Sequence, residues 1–177
     1  MKYVSTRGGC APIEFKDAVL TGLAPDGGLL VPESIPDFGS VWESWANLSY
    51  VDLLVEVMAP FTDLDRNLLR DLATRAYADF RDERIAPLVE VGGIRVLELF
   101  HGPTLAFKDL AMQFLSLCFS HLLAERDTHI NILGSTSGDT GSAAIHGIRG
   151  QDRMAVFMMH PLGRTSELQR LQMTTVP

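Results

Sequence analysis

Residues 130–141 read Ile130-Asn131-Ile132-Leu133-Gly134-Ser135-Thr136-Ser137-Gly138-Asp139-Thr140-Gly141. A short apolar run passes straight into a loop of small residues. A helical pattern then runs through Ala144 and Ile145 to Arg149, with Gly150 placed to end it. A strand feeding a helix through a glycine-rich loop is the unit of a parallel α/β sheet. Met154–Met159 supplies a second apolar strand, and Thr165–Met173 a further helix. Near-continuous apolar strands of this kind are covered on both faces.

The loop sits at the carboxyl end of its strand, where open α/β sheets bind ligands. N–H groups at a helix start have no intrahelical acceptor and carry partial positive charge, so they attract anions. Gly138 and Gly141 allow close approach, while Thr136, Ser137 and Thr140 add hydroxyls. The other reading is a capped tight turn with Asp139 or Thr140 as N-cap. No lysine follows the glycines as in a Walker A loop, and the spacing is not that of a dinucleotide fingerprint. Ser137 lacks the G-x-S-x-G surroundings of a hydrolase nucleophile.

Upstream, Leu88–Val91 and Ile94–Leu99 flank Gly92-Gly93, a hairpin signal. A helix over Leu110–Leu123 carries Leu110, Phe114, Leu115, Cys118 and Leu122 along one side. Residues 1–86 read as irregular and mostly helical, and 87–177 as the α/β region. In the first part a helix with Phe15, Ala18 and Val19 stops by Gly22, Pro25-Asp26-Gly27-Gly28 is a turn cluster, and Leu29–Val31 forms a short strand. Ser49 and Asp52 cap a helix over Val51–Met58. Thr62 or Asp63 caps a longer one with Leu68, Leu69, Leu72, Ala76, Tyr77 and Phe80 on its core face.

Composition excludes several classes. In 177 residues, 46% are hydrophobic and 21% charged, which is neither disordered nor fibrous. Fifteen basic against 22 acidic residues give a net charge of −7, so there is no net basic footprint for nucleic acid or an anionic membrane. There is no apolar run long enough for a transmembrane helix, and MKYVSTRGG has no signal-peptide core. Cys10 and Cys118 are far apart, and no HxxxH or CxxC spacing suggests a metal. A soluble cytosolic protein is the plain reading.

Lys108 lies among Leu105, Ala106, Phe107, Leu110 and Ala111. Desolvation and a nearby helix N-terminus both disfavour an ammonium, which would make the amine a nucleophile for carbonyls. Asp109 opposes this if it touches the amine, and a solvated lysine at a helix start is the other reading. His101, before the Gly102-Pro103 turn, reads as a hydrogen-bonded structural residue. Arg7 is suited either to an anion or to plain solvent exposure.

Four segments in order resemble the threonine synthases, pyridoxal-phosphate enzymes of the tryptophan-synthase-β-like fold (fold type II). They are Tyr3-Val4-Ser5-Thr6-Arg7-Gly8, Gly22-Leu23-Ala24-Pro25-Asp26-Gly27-Gly28-Leu29, His101-Gly102-Pro103-Thr104-Leu105-Ala106-Phe107-Lys108-Asp109 and Thr136-Ser137-Gly138-Asp139-Thr140-Gly141. The resemblance runs over essentially all of the chain but only over the N-terminal part of the family's length. It implies an α/β fold with an incomplete parallel sheet and flanking helices after a mainly helical N-terminal region.

By that resemblance Lys108 is the lysine that binds pyridoxal 5'-phosphate and is catalytic. Thr136, Ser137, Gly138, Thr140 and Gly141 hold the substrate α-carboxylate, and Thr104 shapes the pocket near Lys108. Asp139, where related β-synthases carry Asn, serves the loop or the cofactor's ring hydroxyl. The implied reaction converts O-phospho-L-homoserine and water to L-threonine and phosphate. Alternatives are a threonine-synthase-like phospholyase yielding a 2-keto acid, or a non-catalytic binding module of the same fold. The family's later glycine-rich loop for the cofactor phosphate, and its partner for the ring nitrogen, have no candidate in this sequence. The expectation is therefore an N-terminal fragment that binds the cofactor weakly and turns over little by itself.

Overall fold

The computed structural model describes residues 1–176; Pro177, the last residue of the expected α/β region, lies outside them. The chain divides into two units, Met1–Thr74 and one beginning at Arg75.

The first unit is built on a three-stranded antiparallel sheet. Strand β1 (Lys2–Ser5) lies between β2 (Ile13–Glu14) and β3 (Leu30–Pro32), pairing Tyr3 with Ile13 on one side and with Pro32 on the other. Helix α1 (Phe15–Thr21) ends at Gly22, as its sequence suggests. Helix α2 (Tyr50–Met58) starts where Ser49 Oγ accepts the Asp52 N–H at 3.1 Å. Helix α3 (Arg66–Ala76) begins later than its sequence suggests, because Asp65 caps it, accepting the Asn67 N–H at 2.8 Å. Thr62 is occupied one turn earlier with the Leu64 N–H. Val55, Leu69, Leu72 and Ala73 are fully or almost fully buried. The two glycine-rich segments meet at Asp26. Its carboxylate accepts from Ser5 Oγ at 2.7 Å, Gly9 N–H at 2.7 Å and Gly28 N–H at 2.9 Å, which holds its carboxyl below the usual range.

The second unit opens with the expected hairpin, β4 (Leu88–Val91) against β5 (Ile94–Leu97). Helix α4 (Asp109–Glu125), β6 (Ile130–Ser135), α5 (Asp139–Ile148), β7 (Met154–Met159) and α6 (Glu167–Thr174) follow. Strands β6 and β7 are parallel and in register from Ile130↔Met154 to Ser135↔Met159. Helix α5 packs on β7 and on α4, where Leu122 and Leu123 are fully buried and Cys118 almost so. Burial pushes the Cys118 thiol up to about 12. On the other side of the strands Leu133, Phe157 and Met159 are bare, 70%, 58% and 56% exposed. On the covered side an open groove of about 470 Å³ runs past Ile148, Gln151, Val156, Met158 and Met173. Among the described residues no helix is long and apolar enough to cross a membrane, and no cluster of His, Cys, Asp and Glu could hold a metal ion.

Candidate active site

The loop from β6 to α5 is organised by one hydroxyl. Thr136 Oγ1 accepts the N–H groups of both Gly138 and Gly141 at 3.1 Å. The hydroxyl that accepts from the helix start is therefore that of Thr136 rather than a side chain of Asp139 or Thr140. Gly138 itself is the N-cap residue, at φ +155°, and a Cβ there would lie 2.4 Å from the Gln169 side chain. The backbone conformation strains any side chain at this position, and the Gln169 amide would have to move aside for one. Among the described residues the N–H groups of Ser137, Asp139 and Thr140 meet no acceptor. They cluster at the start of a ten-residue helix and can receive an anion. Asp139 does not enter that cluster as a free acid, since its Oδ1 accepts Gln169 Nε2 at 2.8 Å.

Lys108 opens α4, where its carbonyl accepts the Met112 N–H at 2.8 Å. Its apolar neighbours do not wrap it. Leu105 and Phe107 are 45% and 54% exposed, and only Ala106 is buried. The reason is the backbone: Leu105 sits at φ +64°, an uncommon conformation for a residue with a Cβ, and is turned outward. The amine, on a half-buried side chain, lies 4.7 Å from the centroid of the Phe107 ring. Among the described residues no carboxylate pairs with it.

The two segments share a helix. On α6, Gln169 holds Asp139, and Gln172, three residues on, donates to the Thr104 carbonyl at 2.9 Å. One face of α6 thus ties the anion-binding loop and the lysine-bearing turn together. A second tie runs through Gln113 of α4, whose amide donates to Asp109 Oδ1 at 3.1 Å and to the Ala143 carbonyl of α5 at 3.2 Å. Thr104 is buried, with N–H and hydroxyl both given to Asp109, so its polar groups shape the turn from within. Sequence reasoning missed Gln113, Gln169 and Gln172. The only signal was the three-residue spacing of the last two in a helix otherwise read as plain packing.

The remaining histidine and arginine candidates contact other parts of the fold. His101 Nε2 lies 2.7 Å from Glu98 Oε2, and its carbonyl accepts the Arg81 N–H. Arg7 reaches the Asp26 carbonyl at 3.1 Å in the first unit. His160, after β7, faces the loop cavity with Ser135–Ser137; its Nδ1 is buried and has no partner among the described residues.

The family model described as the threonine synthase N terminus matches residues 2–77. Threonine synthase of Pseudomonas aeruginosa is 48% identical over 99% of this chain and 38% of its own length. Along its whole length, this chain matches the N-terminal portion of the threonine synthases. The crystal structure of yeast threonine synthase superposes with a TM-score of 0.93 at 42% identity, covering 99% of this chain and 38% of that one. A threonine synthase from Brucella melitensis, solved with pyridoxal phosphate bound, gives 0.91 at 44% identity over 98% and 38%. The chain spans 37–38% of the length of curated threonine synthases that it matches. The expected fold type, an α/β fold with an incomplete parallel sheet, is therefore the observed one.

Proposed function

We propose that this chain supplies the lysine-bearing and carboxylate-binding part of a pyridoxal-phosphate lyase, a threonine synthase acting on O-phospho-L-homoserine. The observation that carries this reading is the pair of ties from α6, Gln169 to Asp139 and Gln172 to Thr104. They join an amine without a counter-ion to a helix start with three free N–H groups. That donor set suits an aldehyde-bearing cofactor at Lys108 with an amino-acid carboxylate beside it.

When bound, pyridoxal phosphate supplies a ring that accepts electron density from the substrate Cα. Lys108 would hold the cofactor through its aldehyde. The Lys108 amine, when not engaged with the cofactor, would be placed to take up and return a proton at the substrate Cα. The N–H groups of Ser137, Asp139 and Thr140 fix the substrate carboxylate, with Thr136 holding the loop open. Asp139, tied to Gln169, anchors the loop. Overall, Cγ would exchange phosphate for a proton while Cβ would exchange a proton for the hydroxyl of water, and the remaining proton leaves with the phosphate. The cofactor's phosphate and ring nitrogen need partners beyond these residues.

Adding pyridoxal 5'-phosphate to the protein should raise a visible absorbance band that Lys108→Ala abolishes. A band of equal height in Lys108→Ala overturns the assignment. Product analysis with O-phospho-L-homoserine separates threonine from 2-oxobutyrate, the phospholyase outcome. The 177-residue chain alone is expected to bind the cofactor weakly and to turn over little of the substrate.

A further inference from the structure

Asp109 follows Lys108 directly, and an aspartate beside a lysine at a helix start ordinarily stands in solvent or pairs with the amine. Here its exposure is 0%, and its carboxylate is turned inward. It accepts from the Thr104 N–H at 2.8 Å, Thr104 Oγ1 at 2.9 Å and Gln113 Nε2 at 3.1 Å. The second amide hydrogen of Gln113 goes to the Ala143 carbonyl, which leaves its Oε1 to accept from His146 Nδ1 at 3.4 Å. Among the described residues no cation meets Asp109. Its charge is balanced by these donors and by the N-terminus of α4, whose first residue it is.

Two consequences fall on Lys108. Both hydrogen bonds from Thr104 close a short loop with Lys108 inside it. Within that loop Leu105 is held at φ +64°, a strained conformation that persists only where its surroundings impose it. The direction in which the Lys108 side chain leaves the backbone is therefore set by the clamp. The inward carboxylate is also unavailable to the amine, and an ion-paired lysine stays protonated and is a poor nucleophile.

We propose that Asp109 is a positioning residue for Lys108, aiming its amine at the cofactor aldehyde while withholding a counter-ion from it. The proposal rests on Lys108 being the cofactor-binding lysine. The other lysines, Lys2 and Lys16, serve as internal references. The protein is treated in the cold with pyridoxal 5'-phosphate, the adducts are fixed with borohydride, and occupancy at each lysine is read by peptide mass spectrometry. Wild type should favour Lys108. Thr104→Val and Asp109→Asn should each lower the Lys108-to-Lys2 ratio about tenfold, a modest loss for a misaimed reacting group, and Thr104→Ser should restore it.

Should Asp109→Asn fail to fold, Thr104→Val and its serine rescue carry the test. If the variants melt earlier yet keep the wild-type ratio well below melting, Asp109 is merely structural and the proposal is overturned. If wild type shows no preference for Lys108, the cofactor assignment itself falls, and this proposal with it.

Discussion

Gly102→Ala tests how tightly the turn before Lys108 is locked. A Cβ on Gly102 would lie 2.4 Å from Asp109 Cβ, 2.5 Å from Oδ2 and 2.8 Å from Cγ, where ordinary contacts begin at 3.4 Å. The backbone at Gly102 is not in the left-handed region, so alanine costs little in conformation. The whole effect is steric, and Asp109 must retreat by the difference, 3.4 − 2.4 = 1.0 Å. A retreat along the bond to the Thr104 N–H would take its 2.8 Å to roughly 3.8 Å, beyond any useful hydrogen bond. Losing one charged bond costs about 1.5–3 kcal/mol and overpacking about 1–3 kcal/mol, so about 2.5–6 kcal/mol in all. Gly163→Ala is the control. Gly163 has φ +69° with nothing within 4 Å of its Cβ, so it should lose only the left-handed conformational term, roughly 1–2 kcal/mol. Urea unfolding followed by far-UV circular dichroism measures both. If Gly102→Ala is no more destabilising than Gly163→Ala, the close approach of Gly102 to Asp109 is not what holds the turn.

Cys118, pushed up to about 12 by burial, should resist alkylation at mildly alkaline pH while the partly exposed Cys10 reacts; labelling of both at equal rates in native protein would contradict the packing of α4. Asp26 owes its lowered carboxyl first to the Ser5 hydroxyl, then to the Gly28 and Gly9 N–H groups. Its folded value is depressed, so its stabilisation is complete above the unfolded carboxylate range and is lost as pH falls through the folded value. Ser5→Ala should move the Asp26 titration, followed by NMR of the carboxyl carbon, up toward the ordinary carboxylate value. An unshifted curve would show that the backbone donors alone suffice.

Much of the second unit was legible because two independent signals agree there. Apolar runs of four to six residues are too short for helices, and the small residues after Leu133 demand a turn before the helical pattern resumes. Strand β6 reaches beyond Leu133 to Ser135 because β7 continues the pairing to Met159, a register that no local pattern carries. In the first unit β1 escaped notice for the same reason, since its partners lie at residues 13–14 and 30–32. Thr62, Asp63 and Asp65 are all eligible caps by type, and only the fold shows Thr62 occupied with Leu64 and Asp63 accepting the Lys16 N–H. At the site, the lysine and the small-residue loop stood out as pieces. What joins them did not, because Gln113, Gln169 and Gln172 are amides on helices, and nothing in a helical period separates a bridging glutamine from a solvated one. Asp109 misled in the opposite sense, its inward turn being set by Thr104 rather than by its neighbour.

Leu133, Phe157 and Met159 form an oily ridge along two parallel strands, and water must order itself around every part of it. Hiding such surface returns about 25 cal/mol for each Å². Concentrated samples of the chain should therefore stick to one another along this ridge, and a mild detergent should keep them dispersed.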